Sequence, residues 1–321
     1  MKSAPVRGGC VYGPVPSRRL GRSLGVDLVP FKTCTYDCVY CQLGRTTHRT
    51  VRRQRWLDPA DVVANVRQGL DSRPDVIALA GSGEPTLDER IGEVIAGIKQ
   101  LTATPVAVIT NGSLLSRPAV RRDLVEADIV MPSLDAPSAG LFRLVNRPEP
   151  AVRFSDLVNG LVAFREEYGR QLWLEILLLG GVTGITAEVE RLADIAALIA
   201  PDRIQLTTVS RPPAEPFVEP VTLQALRRFA QLFAPAAEVV TVSPLATGSG
   251  TGTKADVLAL VARRPCAVDD IAAGLQIHRN EALKAAATLV EEGSLRQRRH
   301  GERTFYALAS DIRDTSPQEE S

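Results

Sequence analysis

Residues 24–41 run Leu24-Gly-Val-Asp-Leu-Val29-Pro-Phe-Lys-Thr-Cys34-Thr-Tyr-Asp-Cys38-Val-Tyr-Cys41. A short apolar run is broken by Pro30 and followed at once by three cysteines within eight residues. A run of that kind predicts a strand over 24–29 that delivers the cysteine loop at its C-terminal end. Ligands of α/β folds bind there. Three thiols on one loop can turn inward together on a soft metal centre. Iron–sulfur clusters usually take four cysteines, and no fourth lies nearby, so one iron would stay open for a substrate or cofactor. An open position favours catalysis over a structural role. The competing readings of the same residues are a zinc site completed by His48 and three unrelated thiols.

Working outward, five more short apolar runs follow at 76–80, 105–109, 128–134, 172–179 and 203–209, separated by amphipathic stretches. Helix starts are expected at Asp58-Pro59, Asp88, Ser116, Ser155, Thr186 and Thr222, each a capping residue type. Apolar stripes at helical spacing (Ile91, Val94, Ile95, Ile98; Leu157, Val158, Leu161, Val162; Leu192, Ile195, Ile199) are expected to face a core. Alternation of strand and helix signals an α/β protein with a parallel sheet covered on both faces. Periodicity alone leaves a barrel and a doubly wound sheet equally open.

The chain has 321 residues, 45% of them hydrophobic and 23% charged, which excludes a mainly disordered chain and suits about two domains. No apolar run approaches the ~18 residues of a membrane span, so a cytoplasmic protein without membrane attachment is expected. Five cysteines are too few for a secreted disulfide scaffold. Cys10 and Cys266 stand apart from the cluster. The net charge of +1 conceals an asymmetry: residues 1–55 carry eleven Lys and Arg against Asp27 and Asp37, a local +9 set against −8 elsewhere. That distribution suits either an anionic partner or a solvated cationic face.

A second motif, Gly81-Ser82-Gly83-Glu84-Pro85, follows the second strand directly. CxxxCxxC with an aromatic before its last cysteine (Tyr40), after the first strand of a six-fold βα chain, resembles the radical S-adenosylmethionine superfamily, and GSGEP is similar to its Gly-Gly-Glu-Pro motif. The resemblance extends over about residues 10–245 through GPVPSRRLG (13–21), ITNG (109–112), SLDAP (133–137) and RPP (211–213). Within the superfamily these look like the Fe-S oxidoreductase branch similar to wyosine-type tRNA-modifying enzymes. It departs from the wyosine enzymes in having Cys10 alone where those carry the cysteines of a second cluster.

The resemblance implies a partial (βα)6 TIM-like barrel. It implies that Cys34, Cys38 and Cys41 hold a 4Fe-4S cluster whose open iron takes S-adenosyl-L-methionine, with Tyr40, Ser82, Gly83, Glu84, Pro85, Asn111, Ser133 and Asp135 as cofactor-binding candidates. Thr110, Glu175, Thr207 and Arg211 are further polar groups at strand ends. The implied chemistry is reductive cleavage to a 5′-deoxyadenosyl radical that abstracts hydrogen, fed by an electron donor of flavodoxin or ferredoxin type. No catalytic residue beyond the cofactor site is assigned, and the oligomeric state is open.

The expected domain plan is a basic N-terminal extension (1–23), a core barrel (24–243), a Gly-Ser-Thr linker (244–253), a winged helix-turn-helix domain (254–309) and a disordered tail (310–321). The winged helix is expected from helices at 254–263, 267–275 and 278–292 followed by a hairpin, 294–299 and 303–308. Its Arg296, Arg298, Arg299 and Arg303 suit nucleic acid, while Glu281, Glu291, Glu292 and Glu302 dilute the charge, so RNA or protein is the expected substrate. A redox-sensing regulator is the rival reading of a cluster joined to such a domain.

Overall fold

The computed structural model describes residues 9–17, 19–240, 253–301 and 303–311. The expected linker and tail lie almost wholly outside them.

An eight-stranded sheet organises the main unit. Strand β1 (Val11–Ser17) turns back on β2 (Gly21–Val26) as an antiparallel pair. The next four strands join in parallel: β5 (Val76–Leu79), β6 (Val106–Thr110), β7 (Ile129–Pro132) and β8 (Gln171–Leu178). Strands β9 (Arg203–Thr208) and β10 (Glu238–Val239) extend it, also in parallel. A separate two-residue pair, β3 (Thr33–Cys34) and β4 (His48–Arg49), lies in the cysteine loop. The spatial order follows the chain order from β1 to β10. A doubly wound sheet reverses direction part-way, whereas a consecutive order is consistent with a partial TIM-like barrel.

The intervening helices include α1 (Pro59–Gly69), α2 (Ile91–Leu101), α3 (Pro118–Leu124), α4 (Ala139–Val145), α5 (Phe154–Glu167), α6 (Thr186–Ile199) and α7 (Leu223–Ala230). Asp58 caps α1 by accepting from the Ala60 N–H, and Thr222 caps α7 from Ala225. The other four expected caps do not serve: α2, α3, α5 and α6 start after Arg90, Arg117, Arg153 and Ile185, which have no side-chain cap bond. Burial of the apolar stripes settles where those helices begin, overriding the local preference for a capping residue.

Alternation sorts the strands into two faces. Ile77, Leu79, Val106, Val108, Leu174 and Ile176 pack outward with the helix stripes in one large core. Val76, Ala78, Ala107, Met131 and Trp173 point the other way and form a smaller cluster around Leu20, which the β1–β2 turn inserts between them. Burying Leu20 stabilises this interior by roughly 2 kcal/mol. The upper end stays polar.

The expected extension (1–23) therefore contributes to the sheet from Val11 onward. Gly13, Pro14 and Pro16 break the alternation that marks a strand, and prolines are tolerated because β1 is an edge strand. The first expected strand ends early, at Val26. Asp27 leaves the ladder for a buried polar role, while Leu28 and Val29 remain 1% exposed beneath the following loop.

The C-terminal unit contains α8 (Lys254–Val261), α9 (Val268–Leu275) and α10 (Arg279–Glu291), with an antiparallel sheet in the order β11 (Cys266–Ala267), β13 (Arg303–Leu308), β12 (Leu295–His300). Thr253 and Asp256 form a capping box on α8, and Gly293 ends α10 at φ 72°. Val257, Ile271, Ala282, Leu289, Leu295 and Tyr306 give the unit its own core.

Candidate cofactor site

Loop residues after β2 and β5 are zipped together by their backbones. The Lys32 N–H donates to the Ser82 carbonyl at 2.7 Å, and the Glu84 N–H to the Thr33 carbonyl at 3.0 Å. Lys32 adopts a left-handed φ of 58°, a conformation costly for a residue with a side chain, and this turn redirects the chain toward Cys34. Gly83 must be glycine: an added Cβ would stand 2.0 Å from the Thr33 carbonyl oxygen. Farther along, the Asp37 carboxylate accepts from Arg45 Nε and the Thr46 N–H, both at 2.8 Å, which closes the cysteine loop on itself. The Val39 N–H donates to the Val145 carbonyl at 2.9 Å and fixes the loop to the end of α4.

Cys34, Cys38 and Cys41 line one cavity of about 1120 Å³ that takes in the C-terminal ends of the strands and extends along β1 and the C-terminal unit. Amide donors point at two of the sulfurs: Asn111 Nδ2 lies 3.5 Å from Cys34 Sγ, and Asn146 Nδ2 lies 3.6 Å from Cys38 Sγ. Burial pushes the Cys34 thiol up to about 12, and Cys38 and Cys41 also upward, so the metal-free loop holds its protons. A cluster that takes thiolates would displace them. Soft donors aimed into one cavity, backed by N–H groups on the sulfurs, fit a 4Fe-4S cluster. Among the described residues no three His, Cys, Asp or Glu side chains are grouped to hold a single metal ion, and His48 is exposed on β4.

Of the other candidates, Tyr40, Ser82, Gly83, Glu84, Asn111 and Ser133 share that cavity wall. Pro85 and Asp135 do not. Pro85 is buried as the first residue of a 3₁₀ turn, Pro85–Leu87. Asp135 sits behind Tyr40, whose hydroxyl it accepts, and also accepts from Asn146 Nδ2 and the Leu177 N–H, both at 3.0 Å. Burial pushes its carboxyl up to about 6. Glu84 is 2% exposed and fully engaged. Its Oε1 accepts from the Thr86 N–H (3.0 Å), Thr86 Oγ1 (2.6 Å) and Thr110 Oγ1 (2.6 Å), and its Oε2 from the Asn111 N–H (2.7 Å). Glu84 thus ties the ends of β5 and β6 together, and Thr110 serves it. Glu175 pairs with Arg19 on the cavity wall, and Thr207 and Arg211 line it too.

Several contributors carry weak sequence signals. Asp27, a lone acid in the apolar run 24–29, accepts from the Ser82 N–H at 3.1 Å and from the Ser82 hydroxyl. Asn146 and Thr35, whose hydroxyl accepts from Asn111 Nδ2 at 2.7 Å, have no local pattern at all. Part of the chain-wise charge asymmetry is met in space: Arg45, Arg53 and Arg55 pair with Glu215, Asp123 and Glu89.

Comparison with known proteins agrees with this geometry. The profile of the Radical SAM superfamily matches residues 28–196, more than half of the chain. A protein of Brachyspira hyodysenteriae named GTPase Obg is 34% identical over 294 residues, 89% of this chain but 43% of that protein, so the chain spans less than half of that relative's length. A UPF0026 protein of Methanocaldococcus jannaschii is 33% identical over 226 residues, covering 69% of this chain and 70% of that one. Among solved structures, a radical SAM methyltransferase from Sphaerobacter thermophilus has a TM-score of 0.51 at 21% identity, covering 68% of this chain and 65% of its own, a likeness of fold. With three cysteines and the GSGEP loop brought to one cavity on a parallel sheet, the chain belongs to the radical SAM superfamily, enzymes that use a 4Fe-4S cluster and S-adenosylmethionine.

Proposed function

We propose that Cys34, Cys38 and Cys41 hold the cluster and that the enzyme reductively cleaves S-adenosylmethionine to abstract hydrogen from a macromolecular substrate, RNA or protein. The observation that carries this reading is the convergence of the three thiols and the Ser82–Glu84 loop on one cavity. When bound, the cluster supplies one electron to the sulfonium, giving methionine and a 5′-deoxyadenosyl radical. The protein's part is placement. Asn111 and Asn146 donate toward the cysteine sulfurs, Gly83 lets the cofactor loop lie against the cysteine loop, and Leu20 packs inside the sheet. Tyr40, held by Asp135, and Ser133 and Asn111 supply polar contacts on the wall.

Three helices followed by a hairpin support a winged-helix assignment for the C-terminal unit, which would hold the substrate over the cavity that it also lines. A flavodoxin or ferredoxin type of donor would deliver the electron in the cytoplasm. The test is anaerobic reconstitution with iron and sulfide, reduction by dithionite and chromatography for 5′-deoxyadenosine. The product is expected from the intact chain and not from Cys34→Ala, Cys38→Ala or Cys41→Ala. A fully loaded, reduced protein that forms none, even with cell extract added, overturns the reading.

A further inference from the structure

The C-terminal unit lines part of the cofactor cavity, and Arg263 is the residue through which it meets the loops of the main unit's site. Arg263, just past α8, lies 3.2 Å from Asp27 across 236 positions of sequence, donates to the Gly9 carbonyl at 2.8 Å, and stacks over the Tyr12 ring at 4.7 Å. Its side chain is 12% exposed and that of Asp27 is 1% exposed, so the pair is largely withdrawn from water. The same Asp27 Oδ2 that meets Arg263 accepts both the N–H and the hydroxyl of Ser82. Gly81 completes the fit, since a Cβ there would stand 2.3 Å from the Asp27 carboxyl carbon. Tyr12, under the guanidinium, donates to the Ala80 carbonyl at 3.2 Å. The contacts made by Asp27 and Tyr12 end on the segment 80–82, which leads directly into Gly83 and Glu84.

We propose that Arg263 is a positioning residue for the S-adenosylmethionine site: acting through Asp27, it fixes the Gly81–Glu84 loop, so that the C-terminal unit completes the cofactor site of the main unit. This rests on the function proposed above. A buried carboxylate needs a charged partner to stay ionised, and an ionised Asp27 is the stronger acceptor for Ser82. Burial raises the Asp27 carboxyl, while Ser82 and Arg263 pull it back. Without Arg263, Asp27 loses its counter-charge and Ser82 its strong acceptor.

The experiment uses Arg263→Gln, Arg263→Lys and Asp27→Asn in the full chain, with two readouts. Equilibrium dialysis of S-adenosylmethionine against cluster-loaded protein is expected to show a dissociation constant about tenfold weaker for Arg263→Gln and Asp27→Asn, with Arg263→Lys recovering most of the loss. Hydrogen exchange on metal-free protein is expected to show the Ser82 amide exchanging about tenfold faster in the same two variants. The double variant should be no worse than either single one, because both break one connection. A dissociation constant within about twofold of the intact chain, with Ser82 exchange unchanged, overturns the proposal, even if the melting temperature falls. Asp27→Asn leaves Arg263 in place and tests the connection should Arg263→Gln unfold. Failure of the intact chain to bind S-adenosylmethionine would defeat the proposed function, while the exchange readout would still judge the connection.

Discussion

Asp88 shows how a single buried carboxyl sets a pH dependence away from the cysteine loop. Its Oδ1 accepts from the Arg90 N–H at 2.7 Å and its Oδ2 from the Trp56 N–H at 3.5 Å, joining the segment after the cysteine loop to the start of α2. Burial pushes this carboxyl up to about 6, against the pull of those donors and of Arg53 and Arg90. The folded value exceeds the unfolded one of about 3.9, so the folded chain binds the proton more tightly. The stability contributed is full below the unfolded value and is lost as pH rises through about 4 to 6. Asn at 88 keeps an acceptor for Arg90 without titrating. Between about pH 5 and about pH 7.5 the unfolding free energy of the intact protein should fall by about 1 kcal/mol relative to Asp88→Asn. Urea titrations of the metal-free proteins measure this, and a difference that stays constant with pH would sink it.

At the scale of elements, the strands were legible where side chains face a core on both sides: five of the six expected runs match β5 to β9 to within two residues at either end. Strands β1 and β10 were not. One is broken by proline and glycine and the other is two residues long, so neither leaves a period to detect. The cysteines and GSGEP were legible as motifs, yet the role of Glu84 was not, because its partners Thr110 and Asn111 lie on another strand end. Four donors converge on that carboxylate, and an amide in its place must turn an NH2 toward one of them. Glu84→Gln should therefore cost about 2 kcal/mol of stability, read as a lower urea midpoint with an unchanged slope. An unaltered midpoint would mean that the β5 and β6 ends hold together without it.

For the whole molecule, the two cores are separate sets of residues, and the units meet where α9 packs along β1 and at polar contacts. Arg211 and Asp270, each 12% exposed, pair at 3.3 Å beside the Arg263–Asp27 contact. Breaking one partner of a buried pair is costly, but such pairs and one helix-on-strand contact join the units less firmly than a shared apolar core would. The C-terminal core rests on far fewer buried side chains than the main one, and a unit of about 60 residues is marginal on its own. It should therefore unfold first. Both tryptophans, Trp56 and Trp173, pack in the main unit, so this first step is silent in their fluorescence but visible in far-ultraviolet circular dichroism. Rising urea should give two transitions by dichroism and only the later one by tryptophan emission, with amides of 254–309 losing exchange protection before those of 76–208. Coincident curves by all three measures would instead make the molecule one cooperative block, with the polar contacts at Arg263 and Arg211 coupling the units as strongly as a common core.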